Sequence, residues 1–481
     1  MLKSNYNFRK KYLRWAIFLI SIPSIFFLFQ QFHVFNQMHP QPKDKKRTTM
    51  AHVFSNYHQT QGELFALEKW TLDNGTAVHF VGASTLPMVD VLLTFDAGSA
   101  RDKDKQGISL LTCSLLSEGT ALLNADQLAE RLEQVGAQFS CEPGLEMVTV
   151  RFRSLTDKNS LDTVVSTIAD LLKSPSLPKK AFLREQKNVL VALKNEAQSP
   201  SAIAGRMFYE SVYANQPYAN SVLGQEKVVS SLQPKDSQAF FEQYYVTHNL
   251  AMTIVGAVSA EEANQIAIKL SSGLPAGQKP QKIPAVKALS HAIEKRVDFP
   301  STQSHIIMGA PGLKFLDSDY FALVLGNHIL GGSGSVSRIF TKVRSEQGLA
   351  YDAHSYFSPM AELGPFVLGC QTENKAAPKA IALIKHILEE FQKAGPSVQE
   401  LEDAKNNILG SFALRFDSNQ AIAEYVKNIG FYGLPIDFYH QYRNQIKQIT
   451  QKDIISAFQR RVHPDKMAVI IVGEPVGENV V

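Results

Sequence analysis

The chain has 481 residues, a length for two or three domains, and its 44% hydrophobic and 20% charged residues are ordinary for a globular protein with sizeable cores. This excludes a disordered chain, a collagen-like chain and a polytopic membrane protein. The net charge of +4 is unevenly placed: residues 1–50 hold nine Lys/Arg and one acid, so the remaining chain is net acidic. The folded body is therefore no nucleic-acid binder by charge.

In chain order, a basic segment (Lys3, Arg9, Lys10, Lys11, Arg14) precedes an apolar run from Trp15 to Phe29 without a charged residue. Extended to Phe35 the run is 21 residues long, enough for one helical crossing of a bilayer. The flank from Phe29 to Phe35 lacks the small residues of a signal-peptide cleavage site. Residues 1–35 therefore predict a cytoplasmic basic segment and an uncleaved signal anchor. The chain would be single-pass in the cytoplasmic (inner) membrane with its body on the periplasmic side. Residues 36–61, polar and proline-bearing, predict a tether.

Beyond the tether, strands such as Val89–Phe95 and Met147–Phe152 mix with amphipathic helices such as Asn124–Val135 and Leu161–Leu172. Runs of each type, without strict alternation, predict an α+β class with largely antiparallel sheets. Two stretches agree at an offset of 217 residues: Leu232–Asp236, Phe241 and Ala251–Gly256 against Ile449–Asp453, Phe458 and Ala468–Gly473. Each reads as a helix entered at Lys-Asp, a short loop, and a buried strand ending at glycine. A period this long predicts a duplicated domain. The aperiodic, proline-bearing residues 276–296 predict a linker, dividing halves at 62–275 and 297–476. Ser397 and Glu400 stand at capping-box spacing and start another helix. Cys113, Cys141 and Cys370 are too few for a disulfide framework or a zinc ribbon. Buried free thiols are the ordinary expectation, and Cys113 with Cys141 is the pair an oxidising compartment could join.

The body resembles the pitrilysin/insulysin-type (inverzincin) zinc metallopeptidases over about residues 62–476. The residues that carry this are Thr71–Gly75, Asp96–Ser99 with Arg101-Asp102, Gly107 through Gly119-Thr120, Ile329–Ser333, and Arg344-Ser-Glu-Gln-Gly-Leu-Ala-Tyr351. The resemblance implies two homologous α/β-sandwich halves enclosing a chamber, in accord with the repeat. In that family an H-x-x-E-H helix binds zinc through two His one turn apart, and the Glu activates water. Here the His positions are Leu110 and Ser114, and the Glu position is Cys113. The family's third ligand falls near Leu193, with Glu196 one turn on, and none of the thirteen histidines stands in such a motif. No metal and no catalytic residue is expected on this chain.

The Arg/Tyr pair is present. The resemblance makes Arg344 and Tyr351 substrate-binding residues, Arg as a fixed cationic fork and Tyr as a hydroxyl donor to a peptide carbonyl. The alternative is a surface ion pair of Arg344 with Glu346 or Asp352, and a packed core ring for Tyr351. Gly331, Gly332, Ser333 and Gly334 would form a chamber or gating loop, and the aromatic cluster Phe438, Tyr439 and Tyr442 reads as helical core. Loss of the ligands with retention of the pair resembles the family's non-catalytic subunits. It implies a substrate-binding or regulatory subunit of a heteromeric peptidase, with zinc on a homologous partner carrying H-x-x-E-H. A non-enzymatic scaffold or peptide-binding subunit of a membrane assembly is the alternative.

Overall fold

A computed structural model describes residues 65–475; the anchor and the tether expected from the sequence lie outside them. In chain order the first half comprises β1 (Leu67–Thr71), β2 (Ala77–Gly82), β3 (Met88–Phe95), α1 (Ile108–Leu115), α2 (Ala125–Glu133), β4 (Gln138–Pro143) and β5 (Val148–Leu155). It continues with α3 (Lys158–Lys173), α4 (Lys179–Glu196), α5 (Pro200–Val212), α6 (Pro234–Tyr244), β6 (Leu250–Gly256) and α7 (Ala260–Ser271). The second half has β7 (Ile293–Asp298), β8 (Gln303–Leu313), α8 (Tyr320–Asn327), β9 (Ala350–Phe357) and β10 (Gly364–Glu373). Then follow α9 (Ala377–Ala394), α10 (Val398–Ser411), α11 (Asn419–Tyr432), α12 (Phe438–Gln448), α13 (Gln451–Arg461) and β11 (Ala468–Gly473). Among the described residues no helix is long and apolar enough to cross a membrane.

The sheet orders are β1-β2-β6-β3-β5-β4 and β7-β11-β8-β10-β9. Without β1 they are the same order, β2, β6, β3, β5, β4 answering to β7, β11, β8, β10, β9. Both sheets are mixed. β6 runs parallel to β2 and antiparallel to β3, and β11 runs parallel to β7 and antiparallel to β8. The sequence repeat is the α6–β6 unit and its counterpart α13–β11. Its Lys-Asp signature has a local cause: Asp236 accepts from the Gln233 N–H at 2.7 Å and Asp453 from the Thr450 N–H at 2.8 Å, closing the first turn of each helix.

Each sheet packs one face on helices of its own half, as in the cluster of Val91, Leu93, Phe95, Val150 and Phe152 with Leu111, Leu115 and Ile168. The opposite face is covered by a helix from the other half. α5 lies on β8 and β11, with Phe208, Val212 and Tyr213 clustered with Ala468 and Ile470 of β11 and Val367 of the neighbouring β10. α11 lies on β2, β3 and β6, with Ala423 and Val426 against Val81, Leu92 and Val255. Glycine admits the second approach: a Cβ on Gly430 of α11 would come within 3.0 Å of the buried His79 ring. Arg151 of β5 pairs with Glu424 of α11 across the same contact.

Residues 275–292 between the halves have no regular secondary structure, and the last four residues of the expected linker, from Ile293, belong to β7. The strand forms because its backbone pairs with β11. The connection is held to the body: Ile283 and Val286 are buried, and Arg101, itself paired with Asp96, donates to the Gln281 carbonyl at 2.7 Å.

Candidate functional site

Helix α1 is entered through a capped turn. The buried Asp102 carboxylate accepts from the N–H groups of Gly107 at 2.7 Å and Ser109 at 3.1 Å. Leu110 on α1 is buried in the first core, and Ser114 is partly exposed one turn on. Cys113, at 1% exposure, is joined by a disulfide to Cys141 of β4, with the Cα atoms 5.8 Å apart. The ordinary expectation of free thiols therefore fails for this pair, because strand β4 brings Cys141 onto α1. It holds for Cys370, whose buried thiol is pushed up to about 12 by desolvation. Leu193 is buried. Burial also pushes the Glu196 carboxyl up, and Arg206, 3.4 Å away, opposes that shift.

A zinc site does not fit these residues. An alkyl group, a disulfide and a hydroxyl stand where two imidazoles and a carboxylate are needed. Among the described residues no three His, Cys, Asp or Glu side chains gather as a metal centre.

Arg344 and Tyr351 stand together. Arg344 lies in a π-helical turn, Thr341–Glu346, which closes through Gly348 N–H to the Arg344 carbonyl at 3.0 Å. Such turns are rare and frequent at functional positions. The chain then enters β9, the edge strand of its sheet, at Ala350. The guanidinium carbon sits 4.7 Å from the Tyr351 ring centroid and 4.8 Å from that of Phe340, so the cation lies between two rings. Tyr351 is 74% exposed, which removes the packed-core alternative for its ring.

Asp352 and His354 are additions that sequence reading left out of the site. His354 Nδ1 and Asp352 Oδ2 are 2.8 Å apart. Burial acts to raise the Asp352 carboxyl, but the His354 bond, with Arg344 and the Ala353 N–H, outweighs it and holds the group below its usual range. Asp352 pairs in register with Gln371, and Gln371 donates to Gln303 at 2.5 Å. These polar groups line the edge side of the sheet face whose other part α5 covers. An Asp-His alternation on a strand with a tyrosine before it was the available signal.

The glycine run divides by role. Gly331 is buried where a π-helical turn, His328–Gly332, packs on β9, and a Cβ there would stand 2.6 Å from the Ser355 nitrogen. Asn327 and Ser355 fix the same contact by reciprocal bonds of 3.1 and 2.7 Å. Gly332 and Ser333 follow at the surface end of that turn, and Gly334 takes the left-handed conformation with φ +62°. Phe438, Tyr439 and Tyr442 are buried in the second core.

The halves meet at equivalent hairpin loops. Glu146, in the β4–β5 loop, accepts from Tyr218 Oη at 2.5 Å, Tyr432 Oη at 2.8 Å and the Ala361 N–H of the β9–β10 loop at 3.1 Å. Tyr218 Oη accepts from Glu362 N–H at 3.1 Å, and Tyr213 donates to the Leu363 carbonyl at 3.0 Å. Burial pushes the Glu146 carboxyl up, against the pull of its three donors.

Known proteins share this fold. Residues 81–226 match the insulinase (peptidase family M16) model and residues 231–408 the model described as the peptidase M16 inactive domain. The fold is similar to the crystal structure of a peptidase M16 inactive domain from Pseudomonas fluorescens, with TM-score 0.83 and 30% identity, covering 86% of this chain and 100% of that one. A non-peptidase homolog, YmxG, of Helicobacter pylori is 29% identical over 77% of this chain and 85% of that protein. A probable mitochondrial-processing peptidase subunit beta of Schizosaccharomyces pombe is 24% identical over 85% of this chain and 92% of its own length. The chain belongs to peptidase family M16. Within it, this is a homologue with Leu110, Cys113 and Ser114 in place of the H-x-x-E-H zinc-binding set.

Proposed function

We propose that this chain is the substrate-binding and regulatory subunit of a heteromeric zinc metallopeptidase, its homologous partner supplying H-x-x-E-H and the zinc. One asymmetry carries the reading. The metal positions have been rebuilt as core and disulfide, whereas Arg344 is held between two rings beside an exposed Tyr351 on an open strand edge. Arg344 presents donors to a peptide carbonyl or carboxylate, Tyr351 a hydroxyl, and Asp352 with His354 a polar floor beside them. The arrangement recognises and orients; bond cleavage belongs to the partner's metal. The M16 relatives named as processing-peptidase subunits support a multi-subunit setting.

In the same reading the N-terminal segment anchors the complex in the cytoplasmic membrane with the body on the periplasmic side. Arg344→Ala in the reconstituted pair is expected to cut peptide turnover at least tenfold while the complex still assembles. Unchanged turnover would refute the role of the pair and leave the scaffold reading, which the relative named as a non-peptidase homolog favours.

A further inference from the structure

Cys113 and Cys141 carry an inference that depends neither on substrate nor on a partner subunit. Cys113 is buried in α1 at the position of the family's catalytic carboxylate, and Cys141 is half-buried on β4. Among the described residues β4 is an edge strand, hydrogen-bonded along one side alone, to β5. α1 is anchored separately, by the Asp102 cap and by packing on α4 and α6. Among the described residues the disulfide is the one covalent tie between that helix and the free edge, and Cα atoms 5.8 Å apart suit it without backbone movement. Cys370, the remaining cysteine, is buried on the other sheet and far less acidic than a free thiol, so it offers no competing partner.

We infer that Cys113–Cys141 is an oxidative lock standing in the place of the lost catalytic carboxylate, and that the body acquires it in an oxidising compartment from a thiol–disulfide oxidoreductase. The order follows from exposure. The thiolate of Cys141, on the open edge, attacks the oxidant's disulfide, forming a mixed disulfide and releasing one oxidant thiolate. As α1 docks, the Cys113 thiolate attacks Cys141 Sγ, forms the internal bond and displaces the second oxidant thiolate. Two electrons and two protons leave this chain, and the oxidant ends as a dithiol. The closed loop spans a sequence separation of 28, and cross-linking it restricts the unfolded chain. Reduction therefore loosens β4 from α1 and lowers the stability of the first half.

The test uses the full-length chain isolated from membranes of its source cell, with thiols alkylated at lysis and peptides mapped without reductant. The lock predicts a linked Cys113/Cys141 peptide and alkylation of Cys370 alone after unfolding. Three alkylated cysteines would overturn it. In parallel, reductant is expected to lower the melting temperature of the wild-type protein by ~5–10 °C. It should leave the Cys113→Ser/Cys141→Ser double variant unchanged. If that variant does not fold, the wild-type shift still decides, and no shift in the wild type refutes the lock. Neither readout involves peptide turnover, so failure here is separable from failure of the subunit reading.

Discussion

Glu146 accepts a 2.8 Å hydrogen bond from the hydroxyl of Tyr432, a residue 286 positions later in the chain. The acceptor belongs to the β4–β5 loop and the donor to the helix that the second half lays across the first sheet. One buried carboxylate thereby joins the hairpin loop of one half to a helix and the matching loop of the other. Because Tyr218, Tyr432 and Ala361 all donate to it, removing the acceptor strands two hydroxyls and an amide in the interface.

The first prediction follows directly. Tyr432→Phe removes one donor from an acceptor that keeps two, and should cost about 1–2 kcal/mol of unfolding free energy. Glu146→Ala removes the common acceptor and should cost about 3 kcal/mol or more. Denaturant titration measures both, and equal costs would contradict the shared-acceptor account.

A second prediction concerns acid. His79 is buried and His328 partly buried, and desolvation pushes each down to about 4, aided by Lys69 and Arg415 respectively. A histidine with a depressed folded-state pKa stabilises fully above its unfolded value near 6.5, and that stability is lost as pH falls from there through about 4. At one pKa unit per 1.36 kcal/mol, each accounts for roughly 3 kcal/mol at most. Glu146 and Asp102, pushed up by burial, act in the opposite sense. The histidine share is therefore read as a difference: His79→Leu should show a shallower loss of unfolding free energy between pH 6.5 and 4 than the wild type. Parallel curves would refute it.

Third, Gly331 packs the second π-helical contact onto β9 with no room for a methyl group. Gly331→Ala should lower the melting temperature by several degrees, about 1–3 kcal/mol at the transition. Gly348→Ala has open space and only the strain of φ +60° to meet, about 1 kcal/mol. Calorimetry of the two variants compares them, and a larger loss at Gly348 would contradict the packing role of Gly331.

Fourth, Tyr351 is exposed, so its truncation should leave stability within about 0.5 kcal/mol. Tyr351→Phe keeps the ring beside Arg344 and loses the hydroxyl, whereas Tyr351→Ala loses both. If the ring orients the guanidinium, the alanine variant should raise KM of the reconstituted pair well beyond the phenylalanine variant. Indistinguishable KM values would remove the orienting role.

Much of this arrangement was legible in the sequence where the signal was local. Lys235-Asp236 and Lys452-Asp453 recur because each Asp closes the first turn of an equivalent helix. Ser397 and Glu400 form the capping box their spacing predicts. The vacated metal positions, Leu110, Cys113 and Ser114, were read residue by residue. Relationships between distant segments stayed hidden. Apolar periodicity in α5 and α11 says that a face is buried, not that it is buried on the sheet of the other half. Cys113 and Cys141 meet because α1 and β4 pack, which spacing alone does not report. Glu146 sits in a four-residue loop with no motif, and its donors lie 72, 215 and 286 residues away. His354 acquires meaning once β9 is known to be an edge strand with Asp352 on the same face.

The most direct test of the subunit account is purification of the tagged full-length chain from detergent-solubilised membranes of its source cell, with mass spectrometry and zinc analysis of the complex. The account predicts a stoichiometric M16 homologue carrying H-x-x-E-H and one zinc per complex. A chain eluting alone, or as a homodimer without zinc, would contradict it.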